Sequence, residues 1–127
     1  MMTIDKPLVL AGCIAALLAV VFGAFGAHAL KARVGADLLA VFQTGVQYHF
    51  YHALGLILVG ILAGTLAATG WTRAAGWLML AGITIFSGSL YLLVLTGQRW
   101  LGMITPIGGV AFIVAWAALA VAVMKSN

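Results

Sequence analysis

The side chains best equipped for chemistry in this sequence are its three histidines: His28 near the end of one apolar run, and His49 and His52 at the start of the next. Neutral imidazole is the commonest metal ligand, and two residues three apart share one side of a helix. His28, His49 and His52 are therefore candidate ligands for a metal ion or a haem, in surroundings from which lipid excludes competing water. Against this, no carboxylate or cysteine stands at a supporting spacing, and Asp37 is the nearest acid. Histidines near a span end also hydrogen-bond a backbone carbonyl or a lipid headgroup, and this structural use outweighs the metal reading.

Polarity is concentrated around them. Residues 43–52 read Gln-Thr-Gly-Val-Gln-Tyr-His-Phe-Tyr-His and open a long apolar run. Gln47 needs a hydrogen-bond partner at that depth, which Tyr48, His52 or a backbone group could supply. Further along, Ser87, Ser89 and Tyr91 interrupt the third apolar run and Thr105 begins the fourth. The candidate ligand-binding set is thus His28, Gln47, Tyr48, His52, Ser87, Ser89, Tyr91 and Thr105. Plainer uses compete with it. Membrane serines bond to a neighbouring helix for about 0.6 kcal/mol on average, or back to the carbonyl four residues earlier. Tyr48, Phe50, Tyr51 and Trp100 suit an interfacial aromatic belt.

No catalytic residue can be named. The sequence holds no nucleophile elbow, phosphate-cradling loop, paired carboxylate or CxxC motif. Carboxylates are absent from the apolar runs, which argues against a proton- or cation-coupled transporter. Whether the chain is an enzyme stays open, with a non-enzymatic role favoured.

The elements that must position these residues are dictated by composition. With 127 residues, 65% hydrophobic and only 6% charged, and a mean hydropathy of +1.23, the chain falls far from water-soluble domains, which carry about 25% charged residues. Lipid is its solvent. The net charge of +4 rests on scattered residues, Lys6, Lys31, Arg33, Arg73, Arg99 and Lys125, so no basic stripe for nucleic acid can form. These residues belong at span ends, three on each side, and the positive-inside bias is balanced. The expected partners are the bilayer itself and either another membrane protein or a second copy. The single cysteine, Cys13, allows no internal disulfide. It follows Leu-Ala-Gly as in bacterial lipoproteins, but too short an apolar stretch precedes it for a signal, so a buried thiol is expected.

The apolar runs predict one transmembrane domain, residues 1–127, with spans at about 8–30, 46–69, 74–96 and 103–124. This is an all-α integral membrane four-helix bundle with both termini on the same side, and 31–45 reads as an interfacial amphipathic turn or helix leading into the second span, with Gly45 either breaking it or letting it run on. Small residues recur every fourth position in the first span, at Ala11, Ala15, Ala19, Gly23 and Ala27, beside a second row at Gly12, Ala16, Ala24 and His28. Such rows let backbones approach, which places helix one at the centre. The expected packing positions are Ala15, Ala19, Gly23, Gly60, Gly108, Ala111 and Ala115. Four antiparallel spans bring the candidate residues into one membrane half and leave the other half nearly all aliphatic.

Four motifs carry a resemblance: Gly-Ala-Phe-Gly-Ala-His-Ala-Leu at 23–30, Gln43-Thr44 with Tyr48 and His52, Phe-Ser-Gly-Ser-Leu-Tyr at 86–91, and Thr-Pro-Ile-Gly-Gly at 105–109. In this order they resemble the DUF423 family, small four-helix membrane proteins related to transmembrane protein 256. The resemblance implies an integral protein of the bacterial inner membrane and carries over no catalytic residue. The leading expectation is a protein without a cofactor, whose one-sided polar pocket binds a small ligand or docks a membrane partner. The alternatives are a histidine-based metal, haem or quinone site, and an oligomeric channel for a small neutral solute.

Overall fold

Asp5 and Pro7 decide where the first helix begins. In the computed structural model, which describes residues 3–67 and 69–126, the extended Asp5 accepts the Leu8 N–H on its carboxylate at 3.3 Å, and proline sits in the first turn, where its missing N–H is not needed. Helix α1 (Lys6–His28) runs from there, and a single 3-10 turn (Leu30–Ala32) leads to α2 (Ala36–Leu62). The third helix, α3, occupies 69–96: it is α-helical over Thr69–Gly82, π-helical over Ile83–Ser87 and α-helical again over Gly88–Thr96. Gly97 ends it at φ 74°, the left-handed conformation that glycine adopts without a Cβ penalty. A 3-10 segment (Arg99–Met103) then leads to α4 (Thr105–Lys125), again with proline in the first turn. All four helices are long and apolar enough to cross a membrane, and no strand occurs among the described residues. The architecture is the expected all-α membrane bundle with both termini at one end.

At Gly45, of the two alternatives the sequence left open, the continuous one holds: α2 begins at Ala36 and passes through Gly45 unbroken. Leu38, Leu39, Val41 and Phe42 lie in phase with the rest of α2 and pack into the core at the loop end, so one helix serves both stretches. At its other end α2 stops at Leu62 rather than at 69, and Thr69 already belongs to α3, which places Arg73 inside that helix. Residue 68 of the expected second span, and residues 1, 2 and 127 of the expected domain, lie outside the described residues.

Helix α1 is peripheral, not central. It packs along α2 and scarcely touches α3, and its span is the least buried of the four. Its small residues explain why: they admit a close neighbour on one face, while Leu10, Leu17, Val20 and Val21 turn outward. That face follows neither four-residue row. Leu8, Gly12, Ala15, Ala19 and Gly26 are buried, with Phe22 partly so. These spacings alternate four and three, the pattern of a left-handed helix pair. The tight approach is at Gly12, where an added Cβ would lie 2.9 Å from the Ala53 carbonyl oxygen; at Gly23 it would lie 3.4 Å from Val46, an ordinary contact. Cys13, expected to be buried, falls off this seam and is exposed.

The core has two parts. Near the termini, Leu8, Leu56, Val59, Met79 and Ala115 are fully enclosed. At the loop end, Phe42, Tyr91, Val94 and Leu101 form a second cluster. The terminal end is also less purely aliphatic than expected. Asp5 receives a hydrogen bond from the Arg73 guanidinium at 2.7 Å and donates its own backbone N–H to the Gly60 carbonyl at 2.9 Å, tying α1, α2 and α3 together. The Lys125 ammonium lies 5.8 Å from the centre of the Trp71 ring, joining α4 to α3 at the same end.

Candidate functional site

Helix α2 carries the site, and its periodicity separates what the spacing joined. Residues three apart on an α-helix point roughly 60° apart. For a helix packed on three sides, that angle sends His49 toward α1 and α3, and His52 toward α4.

His52 is closed in. Its ring stacks on Phe112 with centroids 3.6 Å apart and planes at 9°. The Trp116 indole N–H donates to Nε2 at 3.0 Å, and Nδ1 lies 2.7 Å from the Tyr48 carbonyl oxygen. An indole can only donate and a carbonyl can only accept, so these partners fix the neutral tautomer with its proton on Nδ1. Both ring nitrogens are thereby committed. Tyr48, half-exposed, covers this cluster with its ring 4.7 Å from Phe86.

His49 has a different setting. Its Nδ1 is 2.8 Å from the Tyr91 hydroxyl, and the Tyr91 ring packs 4.8 Å from Phe22 and 5.0 Å from Phe42. Either group can be the donor, depending on the imidazole tautomer. The pair borders a groove of about 460 Å³ that opens because α1 leans on α2 and away from α3. Its walls include Ala15, Leu18, Ile83, Thr84 and Gly88. Leu18 and Thr84 are exposed, so the groove reaches the lipid-facing surface.

The π-helical stretch of α3 stands between these two settings. A π turn carries more residues than an α turn and so re-aims the side chains that follow it. Here it directs the buried Ser87 hydroxyl to the Gly45 carbonyl of α2 at 2.7 Å. On its other side Gly108 of α4 lies directly against the Phe86 backbone, leaving no space for a Cβ. One turn later Ser89 lies 2.9 Å from the Phe86 carbonyl and 2.6 Å from the Thr105 hydroxyl.

The candidate residues therefore do not surround one pocket. His52, Ser87, Ser89 and Thr105 are held in closed cross-helix bonds, and Tyr91 joins His49 at the groove. Gln47 is exposed on the outer face of α2, and His28 is exposed at the end of α1. The three histidines considered as metal ligands do not converge; among the described residues no three His, Cys, Asp or Glu side chains are grouped to hold a metal ion. Of the packing positions, Ala15, Ala19, Gly60, Gly108 and Ala115 are buried between helices, while Gly23 and Ala111 are partly exposed. Every buried side-chain nitrogen and oxygen among the described residues has a partner.

The sequence reading missed Trp116. Its position mid-span was a usable signal, because an indole N–H in hydrocarbon must find an acceptor and few side chains within reach of a span can provide one.

Residues 22–109 match the family described as "Protein of unknown function (DUF423)". The chain is 54% identical over 120 residues to the UPF0382 membrane protein YwdK of Bacillus subtilis (strain 168), covering 94% of this chain and 98% of that one. It is 46% identical over 121 residues to the UPF0382 membrane protein SAB0533 of Staphylococcus aureus (strain bovine RF122 / ET3-1), covering 94% and 97%. No solved structure matches it. Four apolar helices, their order and these likenesses agree: the chain belongs to the DUF423 family and is an integral membrane protein.

Proposed function

We propose that this protein is a non-enzymatic binding protein for a membrane-dissolved amphipathic molecule, held in the groove between α1 and α3. The observation that carries this reading is the position of the His49–Tyr91 pair, a buried polar contact bordering a cavity whose other walls are almost wholly apolar. Its volume of about 460 Å³ lies within the range of about 300–1,000 Å³ usual for small-molecule sites. An apolar body would fill the space along Leu18 and Ile83. A single polar head would reach the Tyr91 hydroxyl, whose oxygen accepts while its proton goes to the imidazole, and whose proton is released to donate when the imidazole carries its own on Nδ1. Entry from the side suits a ligand that partitions into lipid before it binds.

A long-chain alcohol bearing a photoreactive diazirine tests this in vesicles containing the purified protein. Labelling of Leu18, Ile83 and Thr84, mapped by mass spectrometry, should saturate and be competed by unlabelled alcohol. Gly88→Leu should abolish it, because an added Cβ at Gly88 meets nothing within 4 Å and the larger side chain fills the groove without disturbing the fold. Labelling that never saturates, or that survives Gly88→Leu, overturns the reading.

A further inference from the structure

Gln43 and Gln47 lie one turn apart on the outward face of α2, both exposed, and neither amide is hydrogen-bonded to another group among the described residues. For Gln47 the depth makes this costly. Because α1 and α2 are antiparallel, Gly26 faces Phe42 and Gly23 faces Val46, so Gln43 and Gln47 lie level with Gly26 and Gly23. Gly23 is five residues before the end of α1 at His28, or about 8 Å along the axis. By helix position the Gln47 amide therefore lies within the span, where an unsatisfied polar group is more expensive than at the membrane edge.

An amide both donates and accepts, so it is its own complement. For two copies inserted with the same orientation, a two-fold axis along the membrane normal sets residues of equal depth opposite each other. Gln43 and Gln47 themselves line a recess of about 530 Å³, together with Gly23, Gly26 and Ala27 of α1 and Phe42 and Val46 of α2. Small residues at such a place let a neighbouring helix come close. Below the glutamines, Tyr51, Leu54 and Leu58 continue the exposed stripe at spacings of three and four, the seam spacing of paired helices. We infer that this face of α2 is a homodimer interface, in which Gln43 and Gln47 hydrogen-bond to the same glutamines of a second copy. The interface lies apart from the groove between α1 and α3 and does not depend on its occupancy.

Energy transfer between full-length chains carrying donor and acceptor fluorophores at the C-terminus, reconstituted in phosphatidylcholine vesicles at rising lipid dilution, tests the proposal. Wild-type transfer should exceed the random-proximity level, and Gln43→Leu/Gln47→Leu should weaken association at least tenfold while helicity and melting midpoint stay unchanged. A second measurement uses Cys13→Ser as background, since Cys13 is the single cysteine. Oxidation should then link chains through Gln47→Cys but not through Leu17→Cys on the exposed face of α1. Wild-type transfer at the random level, an unaffected double variant, preferential linking at position 17, or a different protein captured through these glutamines overturns it.

Discussion

His49 and His52 stand less than one turn apart on α2, yet one borders an open groove and the other is sealed within aromatic rings. Around His52, Phe112 stacks on the imidazole, Trp116 and Tyr48 occupy its two nitrogens, and Gly108 brings α4 onto the π-helical stretch. Around His49, the partner is a hydroxyl beside a cavity, and α1 and α3 stand apart. The same residue type thus serves rigidity on one side and leaves an adaptable polar contact on the other. What separates them is the approach to α3, which α4 meets at backbone contact at Gly108 while α1 packs on α2 and leaves the groove open. Binding sites need the second condition, and a bundle this small can have it only where another side holds the helices together.

Glycine substitutions should break that contrast most sharply. Gly108→Ala places a methyl group against the Phe86 backbone, which cannot swing aside as a side chain can. Overpacking of this kind costs about 1–3 kcal/mol, and contact with backbone favours the upper end. Gly88→Ala, on the groove side, meets nothing within 4 Å and should cost nothing, since alanine is the better helix former by about 1 kcal/mol. Equilibrium unfolding in detergent should therefore show a large loss for the first and none for the second; equal losses would mean that both sides are equally tight.

The histidines themselves should rank next. His52→Leu removes two hydrogen bonds and leaves the Trp116 N–H without its acceptor, at a cost of about 2 kcal/mol. His49→Leu removes the single interhelical bond to the Tyr91 hydroxyl, so its cost should stay near about 0.6 kcal/mol. Adding Trp116→Phe to His52→Leu removes the orphaned donor and should recover part of the loss, a coupling that a double-mutant cycle reads directly. Additive losses would show that the indole was not bonded to the imidazole.

Much of this arrangement was legible before any coordinates, and the part that was not shares one cause. Spans, topology and family follow from long uncharged runs and from four motifs in order, all of them local features. The angle between His49 and His52 was legible too, but its consequence was not, because spacing fixes where a side chain points on its own helix and not which neighbour waits there. The His52 partner lies 64 residues away and the His49 partner 42. Asp5 looked like part of a polar tail, and only the fold brings Arg73 and Gly60 to it. The four-residue rows of α1 suggested a straight seam, whereas two long helices keep contact by alternating steps of three and four. The π-helical turn left no local mark, since neither Gly82 nor Gly88 at its ends requires it.

The smallest effect should come from the Ser89–Thr105 contact, and its size tests whether the closed side depends on any single bond. Each hydroxyl has one proton, and the pair has two arrangements. Either Ser89 donates to the Phe86 carbonyl and Thr105 to Ser89, or Ser89 donates to Thr105 and Thr105 to the Leu101 carbonyl 3.4 Å away. Removing one hydroxyl leaves the other a carbonyl to bond, so no buried donor is orphaned. Ser89→Ala and Thr105→Val should each cost less than about 0.6 kcal/mol, and the double variant should cost less than the sum of the two. A loss from Ser89→Ala as large as that from His52→Leu would show that the closed side rests on this hydroxyl pair rather than on the aromatic stack and the backbone contact at Gly108.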